Sequence, residues 1–207
     1  MGFFDSFLGL GEVFSCLTSL VQGLGKLLVE AVKVIASVFT EIGKALGLIE
    51  EDFDEEEFGD KALQAEEEGS TPDRFESYDE YFEAIKNFEL DPEKSEKYTE
   101  KEKLDKAVEV EGTYLSEHGF ESVILDTANL VSKHSDYFTP EKISGISELA
   151  VKSPETIKNI EGYLNGTDKN IDNNDRALDA LVDIEKKINP QSSTNDAIMI
   201  VLDEKNK

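Results

Sequence analysis

The sequence predicts a mainly α-helical protein, with a hydrophobic N-terminal helix or helical hairpin followed by an acidic bundle of short helices. Apolar residues recur at helical spacing, and alternating strand-like runs are rare. Proline follows a capping residue at several points, as it does where helices begin. The formal net charge is −25, and nearly all of it follows residue 48. We therefore expect a hydrophobic segment over 1–48, an acidic linker or helix over 49–70 and an acidic helical domain over 71–207.

The first 48 residues differ in composition from the rest of the chain. They contain three lysines and four acidic residues, so they carry −1 and the remaining residues carry −24. Polar residues between Lys26 and Lys44 advance by three or four positions and form one stripe along a helix. The apolar face is wider than that of an ordinary surface helix. Gly23 and Gly25 interrupt the run, which predicts a hinge or turn and hence a bent helix or a hairpin.

The sequence leaves open what covers this apolar tract. Its longest uncharged run, Val13–Gly25, has 13 residues, whereas a membrane span needs about 20. A single permanent span is therefore not expected. The tract could lie in the core of its own fold, bind a partner or another copy, or insert conditionally into a membrane. The candidate contact residues are Leu27, Leu28, Val32, Ile35, Val38, Phe39 and Ile42.

The acidic segment that follows contains eleven acids and one base between Glu50 and Glu68. We interpret it as a solvated helix and linker, because apolar residues form only a thin face on it. Aromatic residues then recur at helical spacing from Phe75 to Phe88, which predicts a helix with an aromatic face in the core.

Several later helix boundaries can be predicted from local signals. Three helix starts combine a capping residue with proline: Asp91-Pro92, Thr139-Pro140 and Ser153-Pro154. A final helix pair is expected over about 173–188 and 193–204. The one weak strand candidate is Glu109 to Leu115.

Charge and residue types exclude several classes of function. Nucleic acid and anionic lipid are not expected as partners of so acidic a chain, since both need clustered Lys and Arg. Basic protein surfaces and cations such as Ca²⁺ fit better. His118 and His134 are the only histidines, and no phosphate loop, nucleophile elbow or zinc motif is present. We therefore expect no enzymatic activity.

One loop has oxygen-bearing side chains at calcium-binding spacing. Counted from Asp168, Asn170 and Asp172 stand at positions 3 and 5, and Asp179 at position 12, between two predicted helices. Position 6 is Asn173 where the EF-hand pattern has glycine. The alternative is a polar helix–helix connection in which Asn and Asp act as turn and cap residues.

Short motifs resemble those of a bacterial family. They are the opening Met1–Phe4 with its Gly-rich aliphatic tract, Lys61–Ala65, Phe88–Lys97 and Tyr137–Glu141. The chain is similar in these motifs to small proteins associated with type VI secretion, including the EvpP type of secreted effector. The resemblance implies a non-enzymatic protein that is held in the bacterial cytoplasm and exported without a cleaved signal peptide.

The leading expectation is thus a type VI effector or effector accessory. Its apolar N-terminus would bind a protein of the secretion apparatus, a chaperone or a membrane, and it could oligomerise. One rival is an intracellular adaptor, chaperone or immunity protein with the N-terminal hairpin in its own core. The other is a calcium-binding helical module.

Overall fold

The computed structural model describes residues 29–207. Within this range it contains ten α-helices and no strand, so the predicted mainly α fold class is confirmed. The chain divides into two units between Leu125 and Asp126. The boundaries expected near residues 48 and 70 fall inside the first unit.

Five helices belong to the first unit, together with the opening turn of a sixth. They are α1 (Val29–Leu46), α2 (Glu55–Glu67), α3 (Tyr78–Lys86), α4 (Pro92–Ser95), α5 (Glu100–Glu117) and the start of α6 (Glu121–Lys133), with a 3₁₀ turn at Pro72–Arg74. Helix α5 packs against both α1 and α2. It is therefore the central helix of this unit.

Capping side chains explain where these helices begin. The Asp54 carboxylate accepts the amide hydrogen of Glu57 at 2.7 Å and starts α2. Thr99 and Glu102 form a reciprocal capping box at the start of α5. Each cap satisfies an amide that the helix itself leaves without an acceptor.

The predicted aromatic helix is confirmed as part of the core, but it runs from Tyr78 to Lys86, so Phe75 and Phe88 lie outside it. Its buried members are Tyr78, Tyr81, Phe82 and Ile85. They pack with buried residues of α2 and α5, among them Phe58 and Val110. The Phe82 ring stacks on Tyr114 of α5, with the ring centroids 4.0 Å apart.

The second unit is built around α9 (Ile171–Ile188). This helix contacts α7 (Pro140–Lys152), α8 (Pro154–Leu164) and α10 (Thr194–Lys205), and the later part of α6 completes the unit. The predicted starts at Pro140 and Pro154 and the final helix pair are confirmed. The strand candidate at 109–115 is wrong, because α5 continues through it.

No helix among residues 29–207 is long and apolar enough to cross a membrane.

Candidate functional site: an acidic cleft on the first unit

The surface of the first unit contains a cleft of about 390 Å³. It is formed by the connection between α1 and α2, the first turns of α2 and the end of α3. The lining residues are Glu50, Asp52, Phe53, Asp54, Glu57, Phe58, Lys61, Glu83, Lys86 and Asn87.

Local chain geometry places this connection. Gly47 ends α1 with φ of +71°, a conformation that glycine adopts without strain. The amide of Leu48 then donates to the Gly43 carbonyl at 2.9 Å, so the chain reverses within a few residues. Asp54 caps α2 from the other side. The acidic connection is thus held at both ends.

Phenyl rings form the floor of the cleft. Phe53 is half-buried and Phe58 is buried, and their ring centroids lie 4.9 Å apart. Phe58 is also 4.9 Å from Phe82, which joins the floor to the core of the unit. Phe53 therefore packs on other aromatic rings and, as a half-buried residue that lines the cleft, stays partly accessible to solvent.

The wall of the cleft is negatively charged. Five carboxylates and two ammonium groups line it, so the lining carries −3. Lys61 lies 2.7 Å from Glu57, and Lys86 lies 3.1 Å from Glu50 and 2.9 Å from Glu83. Hydrogen bonds, first to Glu83 and then to Glu50, raise the pKa of Lys86.

Each lysine already has carboxylate partners, and the exposed Asp52 has no ion-pair partner among residues 29–207. The arrangement suits a further cationic group. Such a group could meet a carboxylate at the rim and an aromatic face on the floor. A planar guanidinium fits both better than an ammonium does.

The acidic segment also contains a buried polar network that sequence reasoning missed. Asp60 is 3% exposed and lies 2.8 Å from the ammonium group of Lys103. Gln64 is fully buried, donates to Asp60 at 2.9 Å and accepts the amide of Asp91 at 2.9 Å. Burial would raise the pKa of Asp60, but hydrogen bonds from Lys103, Ser95 and Gln64 outweigh burial and lower it.

This network joins α2 to α5 and to the chain before α4. Every donor and acceptor that we name in it is paired, as buried polar groups need to be. Its role is therefore structural. The spacing of Asp60 and Gln64, four residues apart on one helix face, is the sequence signal that could have revealed it.

The apolar candidate residues of α1 lie in the interior. Val32, Ile35, Val38, Phe39 and Ile42 are each at most 1% exposed. Leu27 and Leu28 lie outside the described residues. In this state the five buried side chains do not form a surface, so contact with a partner or a membrane requires α1 to leave its position.

The calcium candidates take separate roles in the second unit. Asp168 accepts the amide of Asn170 at 2.8 Å and the side-chain amide of Asn173 at 2.9 Å. Asn170 in turn caps α9. Asp172 and Asp179 both lie within α9, seven residues apart, which corresponds to about 10 Å along the axis.

Asp179 lines a groove of about 500 Å³ between α7 and α9. Residues 29–207 contain no group of three or more His, Cys, Asp or Glu side chains placed to hold a metal ion. Calorimetry can test the calcium hypothesis for this loop directly.

A second cleft, of about 470 Å³, has several basic residues. It lies where α6, α8 and α10 end, and helix C-termini attract cations. Each cation there has a partner in the second unit. Lys133 lies 2.6 Å from Glu161, Lys207 lies 2.8 Å from Glu204, and Lys205 lies over the Tyr163 ring. We attribute these lysines to stabilisation of the helix ends.

The described residues therefore define an all-helical protein with an acidic, aromatic-floored cleft on its first unit. No family model, no curated protein and no solved structure matches the chain.

Proposed function

We propose that the protein is a non-enzymatic protein associated with bacterial type VI secretion, an effector or effector accessory, which acts by binding a basic segment of a protein partner. The observation that carries the binding function is the acidic cleft, with five carboxylates around the Phe53 and Phe58 rings. The secretion setting is supported by the sequence resemblance alone.

Two properties of the cleft favour binding of a basic partner. Its net charge of −3 and the −25 of the whole chain attract cations over the screening distance of about 10 Å at 0.1 M salt. The partly open Phe53 ring then offers a cation–π contact. Charge attraction speeds the encounter with the partner, and the ring favours a guanidinium or ammonium group at close range.

Binding can be tested with a fluorescently labelled hexa-arginine peptide by anisotropy. We expect Phe53→Leu to weaken binding about two- to fivefold, which corresponds to the 0.5–1 kcal/mol of an exposed cation–π contact. The double variant Asp52→Asn/Glu83→Gln should weaken it further. The matched control is Glu96→Gln/Glu121→Gln, which removes two exposed carboxylates away from the cleft.

The controls separate cleft binding from general attraction to an acidic protein. If the Glu96→Gln/Glu121→Gln variant loses as much affinity as the cleft variant, the peptide is bound by overall charge and the cleft is not the site. If Phe53→Leu binds the peptide as tightly as the wild type does, the aromatic floor does not contribute to binding.

The secretion setting needs a separate experiment. The tagged protein should appear in the medium of a strain with an intact contractile sheath and stay in the cells of a sheath-deletion strain. Equal amounts in both media would refute the association with type VI secretion, and peptide binding by the cleft would stand independently of that result.

The buried position of α1 favours a second candidate, an intracellular adaptor, chaperone or immunity protein whose apolar tract belongs to its own core. Under that function, deletion of residues 1–48 should abolish cooperative unfolding of the first unit, because α5 loses the helix packed against it. Under the leading proposal the cleft does not need residues 1–48, so the remaining chain, 49–207, should stay cooperatively folded. Urea denaturation followed by circular dichroism distinguishes the two.

A further inference from the structure

Glu111 occupies an unusual position at the centre of the contact between α1 and α5. Its side chain is 0% exposed, and one carboxyl oxygen, Oε2, accepts a hydrogen bond of 2.8 Å from the hydroxyl of Thr40. Thr40 is also 0% exposed and belongs to α1. The other oxygen, Oε1, is buried and has no hydrogen-bond partner in the part of the chain that the structure describes.

Charged groups on the surrounding helices do not neutralise this carboxyl. Lys44 on α1 favours its ionised form and Glu55 on α2 opposes it. Lys44 lies 3.2 Å from Glu41, which already provides it with a carboxylate partner. The Glu111 carboxyl therefore has one neutral hydrogen-bond donor and no ion-pair partner of its own among residues 29–207.

A carboxylate without a counter-ion is costly in an apolar interior, whereas a neutral carboxyl costs much less. Thr40, the partner of Glu111, belongs to an α1 segment whose apolar residues Ile35, Ala36, Val38 and Phe39 are all buried. Burial raises the pKa of Glu111 well above its ordinary value, and the Thr40 hydrogen bond offsets only part of that effect.

We propose that Glu111 is a proton-dependent clamp between α1 and α5, which holds α1 in place while the carboxyl is protonated and releases it when the proton passes to water. Release exposes the apolar face of α1, including Val32, Ile35 and Ile42. This inference does not depend on the acidic cleft. It supplies a route by which the buried apolar residues become available to a partner or a membrane.

The direction of the pH effect follows from proton binding. In the released state Glu111 ionises in its ordinary range, and in the packed state it holds its proton to higher pH. Between these two pKa values the packed state binds one proton more, so its stability falls as pH rises. One proton corresponds to a tenfold fall in the packing equilibrium constant per pH unit.

Hydrogen–deuterium exchange of the full chain between pH 5 and 9 measures this release. After correction for intrinsic exchange rates, protection of the amides in 29–46 should fall by up to tenfold per pH unit. Protection of the α9 amides in 171–188 provides an internal reference. Glu111→Gln keeps the acceptor for Thr40 and cannot ionise, so its α1 protection should not change with pH.

The matched control is Glu117→Gln, which removes an exposed carboxylate from the same helix. It should keep the pH dependence of the wild type. A wild type whose α1 protection is constant relative to α9 across this range would overturn the clamp. So would a Glu111→Gln variant that keeps the wild-type slope.

A direct measurement covers the case in which Glu111→Gln does not fold. Carboxyl ¹³C resonances of the wild type can be followed by NMR as pH is changed. The clamp requires one glutamate resonance that titrates well above the others, together with a change in α1 amides over the same pH range. If every glutamate carboxyl titrates in the ordinary range, the proposal is refuted.

Discussion

Gly59 marks the closest approach of α2 and α5, and replacing it tests how the first unit is assembled. A Cβ added at Gly59 would lie inside the contact distance of the Lys103 carbonyl oxygen and 2.6 Å from the carbonyl carbon. Since ordinary contacts begin at 3.4 Å, the two helices would have to separate by at least about 0.8 Å. The obstacle is backbone, so a rotamer change cannot relieve it.

The cost of Gly59→Ala can be assembled from three effects. Overpacking costs about 1–3 kcal/mol. Separation of the helices also weakens the 2.8 Å contact between Asp60 and Lys103, and a hydrogen bond to a charged group is worth about 1.5–3 kcal/mol. Alanine returns about 1 kcal/mol through its higher helix propensity. We therefore expect a net loss of about 2–5 kcal/mol in the free energy of unfolding.

Urea denaturation followed by far-UV circular dichroism measures this loss. Gly145→Ala is a suitable control, because Gly145 is also a helical glycine and the three atoms nearest to its added Cβ would all be side-chain atoms of Ile184, the closest at 3.1 Å. That variant should stay within about 1 kcal/mol of the wild type. A Gly59→Ala protein as stable as the wild type would show that α2 and α5 do not meet at this glycine.

Three further predictions concern buried or capping polar groups. Thr40→Val removes the hydrogen bond to Glu111 and should lower the free energy of unfolding by about 1–3 kcal/mol. Adding Glu111→Leu to this variant should recover most of that loss, and a double-mutant cycle measured by urea denaturation tests this. Gln64→Leu unpairs the buried groups around it and should cost a similar 1–3 kcal/mol, or about 2–12 °C in the thermal midpoint. Calorimetry with Ca²⁺ should give the same negligible heat for wild type and Asp168→Ala, since oxygens of Asp168 and Asn170 already accept hydrogen bonds from the amides of Asn170 and Asp172. A heat that Asp168→Ala abolishes would instead establish the calcium site.

Asp168 and Glu111 make stability depend on pH in opposite directions: stability falls at low pH because of Asp168 and at high pH because of Glu111. Hydrogen bonds from the Asn170 amide and the Asn173 side chain lower the pKa of Asp168. The contribution of these hydrogen bonds to stability is therefore present above the ordinary titration range of Asp168 and is lost as pH falls through the lowered pKa. The two groups together favour an intermediate pH for the intact fold.

Helix positions were predictable wherever the signal is local. Asp91 accepts the amide of Glu93, and α4 begins at Pro92 as predicted. Proline also opens α7 and α8. A cap and a proline act on the residues next to them, so adjacent sequence is enough to locate such boundaries.

The strand predicted at 109–115 was wrong because local preferences do not decide the structure of this segment. Val110 and Thr113 favour strands by their branched side chains, but tertiary packing overrides such weak preferences. Both residues are buried within α5, which is held between α1 and α2. Because 109–115 is part of α5 and not a strand, Glu111 lies in the interior of the first unit.

Composition misled us about the acidic segment. Eleven acids in a short stretch indicate a solvated surface, and most of them are indeed exposed. Asp60 is the exception, because Lys103 reaches it from a helix about forty residues later. The cleft likewise needs the end of α3 beside the start of α2. Contacts between distant segments leave no regular spacing for sequence reasoning to detect.

The sequence by itself determined the helical class, most helix starts in the acidic body, the aromatic core of the first unit and the polar stripe along α1. These features depend on neighbours one to four residues apart, which periodicity and capping report directly. Only the tertiary structure decided that the apolar side of α1 is buried, that Asp60 and Glu111 lie inside, and that carboxylates and phenyl rings share one cleft. Burial and the pairing of charges depend on which distant helices meet, and that is a property of the folded chain as a whole.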